Sequence, residues 1–155
     1  MKYVIFLIFL ALSFPVHALN IDPIMGVTDD KTCMKLNIYH EGRGESLKGM
    51  LEIIKVMVAR TKSREFPSTV CDVVWQQTPV AQFEWTNDKY PDFTIRDMKT
   101  WKMIDKIVDM FYDGQIHMKI DNSVLFYHAG ERTRFFKTLK FSHKIGNHLF
   151  YKERK

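Results

Sequence analysis

Apolar residues recur along this chain with two different periods, and the change from one to the other separates a helical part from an extended part. Between Ser46 and Lys62, Leu47, Met50, Leu51, Ile54, Met57 and Val58 fall on one face at the 3.6-residue period. Ile53 and Val56 widen that face, and Lys48, Glu52, Lys55 and Lys62 form a narrow polar stripe. The spacing predicts a helix that is central and buried on most sides. Gly49 within it costs about 1 kcal/mol relative to alanine, so a close approach by another segment is expected there. A further helix is predicted over Asp97–Asp113, with Met98, Trp101, Ile104, Val108 and Phe111 on one face and Gly114 as terminator. Cys33 to His40 reads as a short helix, with Cys33, Leu36 and either Asn37 or His40 on one side, broken by Gly42 and Gly44. Arg64 to Val70 reads as a loop and Cys71 to Gln76 as a short helical segment. Gln77 to Pro91 is loop-like and aromatic, either a groove wall or a cover for the core.

The last third changes character. Ser123 to Ala129 (SVLFYHA) and Lys140 to Lys152 (KFSHKIGNHLFYK) are aromatic and β-prone, and Gly146-Asn147 offers a turn between short strands. The fold class that follows is α+β, mostly α, with a small antiparallel sheet appended to the helices. No repeat, low-complexity tract or domain-sized linker interrupts the chain. Its 155 residues, 46% hydrophobic and 14% aromatic, suit one compact domain, expected as a monomer.

The N-terminus modifies that picture. Lys2, an apolar run from Tyr3 to Phe14, the breaker Pro15 and small residues Val16 and Ala18 flanking His17 read as a secretory signal peptide cleaved after Ala18. The alternative is an uncleaved membrane anchor, but about a dozen apolar residues fall short of the roughly 20 that span a bilayer. Residues 1–18 are thus expected to be removed and 19–155 to form the functional domain, periplasmic or secreted, with no stable membrane span. The net charge is +5 with histidines neutral, and cleavage takes one positive charge away. A modest positive balance favours approach to anionic polymers of the cell envelope. Nucleic acid is excluded as a partner: no basic cluster accompanies a recognition motif, and export removes the chain from it. Cys33 and Cys71, bound for an oxidising compartment, either pair or stay as two buried thiols. A bridge would close a loop of about 39 residues and stabilise by roughly 4 kcal/mol on the chain-entropy argument.

Candidate chemistry narrows quickly. His40, His117, His128, His143 and His148 form no HExxH or other compact ligand spacing, so neither a metal nor another cofactor is expected. There is no G-x-S-x-G, and a Cys–His pair would have to use cysteines expected to bridge or pack. The stretch YHEGRGE, Tyr39 to Glu45, is the dense spot. Glu41 falls at the end of the first helix where two glycines let the chain turn and approach a ligand. If Tyr39, Phe83 and Trp85 enclose it, desolvation raises its pKa and leaves an acid able to donate a proton near neutral pH, as protonating a glycosidic oxygen requires. The bland alternative is a solvated turn carboxylate. Glu45 has a local task in this reading, favouring the open amides and positive dipole at the start of the second helix, while Arg43 pairs with either acid or holds the turn.

The pattern CMKLNIYHEGRGESLKGMLEIIKVMVARTKSREFPSTVCDVVWQ, then AQFEW, LFYHA and KIGNHLFYK, resembles the SleB-type cell wall hydrolases, the group named for spore-cortex-lytic enzymes. The likeness runs from about Thr32 to Lys152, with several separated motifs in order. It implies a lysozyme-like, lytic-transglycosylase-like domain cutting peptidoglycan glycan strands between N-acetylmuramic acid and N-acetylglucosamine. The first glutamate of Y-x-E-x-R-G-E is the family's catalytic acid, here Glu41. The same resemblance offers Tyr39, Gln82, Trp85, Tyr127, His128 and His148 as substrate-binding groove residues. Two departures stand out: Gly42 where many relatives carry alanine, and Ala81 where many carry cysteine. An amidase cutting between glycan and peptide, and a wall-binding protein without turnover, are the rival readings.

Overall fold

The computed structural model describes residues 19–20, 29–87, 94–130 and 134–154. The expected signal segment, residues 1–18, lies outside them. Element order is β1 (Leu19–Asn20), α1 (Asp30–Gly42), α2 (Leu47–Thr61), α3 (Val70–Val74), a 3-10 turn at Glu84–Thr86, β2 (Thr94–Ile95), α4 (Met98–Tyr112), β3 (Val124–Ala129), α5 (Arg134–Thr138), β4 (Lys140–Ile145) and β5 (His148–Lys152). The class is the expected one, mostly helical α+β with a three-stranded antiparallel sheet.

Each main helix starts where a short polar side chain can satisfy its open amides. Asp29 accepts from the Thr32 amide at 2.8 Å, Ser46 from the Gly49 amide at 3.3 Å, and Asp97 from the Thr100 amide at 3.0 Å. α2 and α4 therefore fit the predicted 46–62 and 97–113 with their cap residues at the limits. α1 runs longer than the predicted Cys33–His40, because Asp29 caps it early and it continues through Gly42. Glu41 thus sits in the last helical turn, at the end of the first helix as expected.

α2 is central as its pattern predicts, touching α1, α3 and the sheet, and α1 is central with it. α1 packs against α2, α3 and α4, and Cys33, Met34, Leu36, Asn37, Ile38 and Tyr39 are all buried. The Cys33–Cys71 disulfide is formed, with Cα atoms 5.2 Å apart, and ties α1 to α3. Lys35 reaches Asp105 and Asp109 of α4, the latter at 3.2 Å, joining the helices at the surface. α2 buries Met50, Ile53, Ile54, Val56 and Met57 against α1 and the sheet, whereas Leu47, expected on the apolar face, is exposed at the first turn. Glu52, placed by pattern on the polar stripe, is buried and paired with Lys55 and, at 3.4 Å, with His143. The neighbour that crowds Gly49 is local: a Cβ there would lie 3.0 Å from the Cβ of Glu45. Gly42 is seated against α2, where an added Cβ would stand 3.0 Å from Ile53 Cδ1.

The sheet order is β3-β5-β4, so the C-terminal strand is central. β4 and β5 form the expected hairpin about Gly146-Asn147, and Gly146 takes φ +57°, a conformation glycine adopts without steric cost. Tyr127, His148 and Phe150 cluster on the face toward the helices, while His128 and Tyr151 meet Phe136 of α5 on the other.

Candidate active site

The last turns of α1 place Asn37, His40 and Glu41 on neighbouring positions of one helical surface, since residues three and four apart lie side by side. Asn37 is wholly buried, and its amide fixes what surrounds the helix end. Its Oδ1 accepts from Trp85 Nε1 at 3.0 Å, and its Nδ2 donates to Met57 Sδ at 3.2 Å. Trp85 is held flat against His40, ring centroids 4.4 Å apart at 12°, with Trp75 edge-on behind it at 5.3 Å. One wall beside Glu41 is therefore aromatic and rigid.

The other side is built around Arg60 on α2. Its Nε donates to the Leu125 carbonyl of β3 at 2.8 Å, and its guanidinium lies 4.9 Å from the Phe66 ring and 5.2 Å from the Phe83 ring. Complete burial brings its pKa down to about 10, so it stays a cation at neutral pH. Tyr127 and Glu41 lie close enough to oppose part of that fall. Glu41 is half-buried, and its carboxyl makes no hydrogen bond with a described residue. Burial pushes its pKa up to about 7; the Arg60 charge pulls the other way, and the Glu84 carboxylate adds to the rise. Desolvation wins because a carboxylate without hydrogen-bond donors has nothing to replace water. Tyr127 is likewise pushed well above the ordinary phenol range, by burial first and then by Glu41.

The remaining sequence-nominated residues divide between this site and the framework. Trp85 forms the wall just described, Tyr127 adjoins Glu41 and Arg60, and Gln82 lines a cavity of about 400 Å³ that Arg60 and Tyr127 also line. Tyr39 points away from solvent: its hydroxyl accepts from the Arg96 and Asp97 amides at 3.1 and 2.9 Å and so fastens the start of α4 to α1. Arg43 donates to the same hydroxyl at 3.4 Å, with its guanidinium 5.3 Å from the ring. His128 stands on the far sheet face, its Nε2 3.0 Å from the Tyr151 hydroxyl, because successive strand residues alternate sides. His148 is buried with its Nδ1 3.6 Å from Glu45 Oε1, and burial lowers its pKa. Glu45 also accepts from the Asn147 amide at 3.2 Å, so it latches the hairpin turn while Ser46 performs the capping expected of it.

Arg60, Asn37 and Glu84 were missed from sequence, and the first two had a signal. Arg60 follows Ile53, Val56 and Met57 at helical spacing, a charge on an apolar face, and Asn37 holds the equivalent place on α1. Among the described residues no group of three His, Cys, Asp or Glu side chains could hold a metal ion. None of the described helices is long and apolar enough to cross a membrane.

Glu41 thus stands sheltered beside His40 and Trp85 on one side and the buried Arg60 cation on the other. Residues 44–151 match the family described as Cell Wall Hydrolase, and the chain belongs to it. The match begins just after Glu41, so it takes in the latch, Arg60 and the sheet but not Glu41. Two solved structures share the fold. The catalytic domain of the Bacillus cereus SleB protein aligns with TM-score 0.56 and 21% identity over 79% of this chain and 89% of that one. The catalytic domain of the germination-specific lytic transglycosylase SleB from Bacillus anthracis aligns with TM-score 0.54 and 24% identity over 82% and 98%. No curated relative matches the sequence.

Proposed function

We propose that this cell wall hydrolase is an exported lytic transglycosylase in which Glu41 alone serves as acid and then base. The observation that carries the reading is the Glu41 carboxyl, open on one side, bonded to no described residue and held at a pKa of about 7. At neutral pH such a group is partly protonated and still partly accessible, the condition for general acid catalysis. In the proposed reaction Glu41 gives its proton to the glycosidic oxygen between N-acetylmuramic acid and N-acetylglucosamine, and the C1–O bond breaks. The muramic 6-hydroxyl then adds to C1, and its proton passes to the Glu41 carboxylate, restoring the acid and leaving a 1,6-anhydro end. Arg60, always cationic, steadies the transient carboxylate without a proton of its own to lose.

Family membership supports a peptidoglycan substrate, and the likeness to a lytic transglycosylase supports the anhydro outcome over simple hydrolysis. Export by residues 1–18, with 19–155 as the working domain outside the cytoplasm, belongs to the same proposal. A second reading has one observation in its favour: the Glu84 carboxylate is close enough to raise Glu41, and a second carboxylate can activate water. Digestion of purified peptidoglycan and weighing of the fragments separates these. Anhydro-muramic ends are expected. Reducing ends lost in Glu84→Gln would favour the two-carboxylate hydrolase, and freed peptides would favour an amidase.

A further inference from the structure

The positive charge of this chain is concentrated at one place. Residues 134–154 hold six lysines and arginines against one glutamate, a net charge of +5 that equals the net charge of the whole chain, so the remainder is balanced. The segment folds as α5, β4 and β5, and several of its cations meet at one end of the sheet. Lys140 and Lys152 are partners across β4 and β5, and Arg154 Nη2 donates to the Lys137 carbonyl at 3.4 Å, which brings the end of β5 to α5. Lys152 is paired with Asp121, whereas Lys137, Lys140 and Arg154 are exposed.

Among these cations lies a hollow of about 780 Å³, with Leu125, Leu139 and Phe141 as its apolar wall and Lys140, Lys152 and Arg154 beside them. Glu153, the one acid of the segment, also lines it. The hollow shares no lining residue with the cavity that Arg60 and Tyr127 line, so it is separate from the candidate active site. Phe141 is 48% exposed, and the strand register gives the reason. Residues two apart on a strand ordinarily share a face, but the pairing with β5 shifts between Phe141 and His143. His143 therefore turns inward and stacks on Phe150, while Phe141 turns outward beside Tyr151, ring centroids 5.8 Å apart. Lysines alone would keep an edge strand from pairing with another chain; an exposed phenylalanine among them works against that end. A soluble anionic polymer would satisfy the cations and leave Phe141 in water. An anionic bilayer meets both, with phosphates at its surface and apolar chains beneath.

We propose that this end of the sheet docks on anionic phospholipid bilayers, with Phe141 entering the boundary between headgroups and acyl chains and Lys137, Lys140 and Arg154 resting on lipid phosphates. The proposal is independent of the chemistry at Glu41. Its test uses the full chain carrying Phe141→Cys labelled with an environment-sensitive nitrobenzoxadiazole; Cys33 and Cys71 are bridged and leave no other thiol. Asp113→Cys with the same label is the control, since α4 packs on α1 and away from the sheet. Vesicles of phosphatidylglycerol and phosphatidylcholine should shift the label at 141 to the blue and leave that at 113 unmoved. Pure phosphatidylcholine should move neither. Insertion of the apolar N-terminus alone would not give that pattern. In sedimentation, Lys140→Glu with Arg154→Glu should lower the preference for anionic over neutral vesicles by at least about tenfold, since each cation near such a surface contributes a factor of about five. Salt at about 0.5 M should remove most of the parent's preference. An unmoved label at 141, an equal response at 113, or an undiminished preference in the charge-reversed variant would overturn the proposal. So would an equal blue shift with dextran sulfate, which carries the charge without an acyl layer.

Discussion

The last turn of α1 and the approach to α2 carry two glutamates four positions apart, and the fold treats them in opposite ways. Glu45 is almost fully enclosed, yet its carboxylate accepts from the Asn147 amide and lies beside His148, so burial comes with partners. Glu41 keeps some solvent access and has no such partner among the described residues, so burial raises its pKa to about 7. Enclosure alone does not make an acid; enclosure without donors does. One carboxyl is held for structure and the other is left chemically unsatisfied, which is the usual mark of a working group.

The largest expected effect comes from removing that difference at Glu41. Glu41→Gln preserves size and deletes the transferable proton, so fragmentation of peptidoglycan should fall by about 10³-fold. In the parent, kcat/KM should decline as pH rises through about 7, because only the protonated form donates. Stability should also fall with rising pH, over a lower window. Between pH 4.5 and about 7 the unfolded chain ionises Glu41 while the folded chain keeps it neutral, so folding weakens across that window and the penalty is complete above it. After allowance for partial solvent access, Glu41→Gln should therefore stabilise by about 2 kcal/mol at pH 8 and by little at pH 4. Denaturation at the two pH values checks this, and a gain of equal size at both would break the contrast with Glu45.

Next in size is the tether at the other end of the same helix. Replacing both Cys33 and Cys71 by alanine opens a closed loop and should cost roughly 4 kcal/mol in denaturant unfolding. The pH limb of kcat/KM should stay in place, because Asn37, Trp85 and Arg60, not the bridge, set the surroundings of Glu41. A shifted limb in the folded variant would mean that the acid depends on the whole length of α1.

Periodicity made α2 and α4 legible nearly to the residue, because their apolar faces and caps agree. It did not reveal how deeply α1 is enclosed, for a physical reason: α1 carries Asn37 and Tyr39, whose polar atoms are satisfied by Trp85 and by the backbone at the start of α4. Satisfied polar groups look like surface in a sequence. Glu41, the proposed acid, stood out through a motif, but its electrostatic neighbour Arg60 did not, since helix and strand had to be docked before a cation on α2 could reach the Leu125 carbonyl. The hairpin was visible in Gly146-Asn147. Its latch was not, because Glu45 and Asn147 are distant in sequence and only the packed sheet brings them together.

The smallest expected effect probes that latch from the glutamate with partners. Gly146 sits at φ +57°, and a Cβ there would come within 1.8 Å of Glu45 Oε2. Gly146→Ala should therefore cost about 1–2 kcal/mol, part from the left-handed backbone and part from driving Glu45 off the Asn147 amide. Glu45→Ala alone should cost a similar amount, because it leaves the Asn147 amide without its acceptor and removes the carboxylate beside His148. In the double variant the displacement has nothing left to break, so the two losses should fall short of additivity by about 1 kcal/mol. The pH limb set by Glu41 should be unmoved throughout. Full additivity would mean that the glycine serves the turn alone and that Glu45 is enclosed for some purpose other than holding the hairpin.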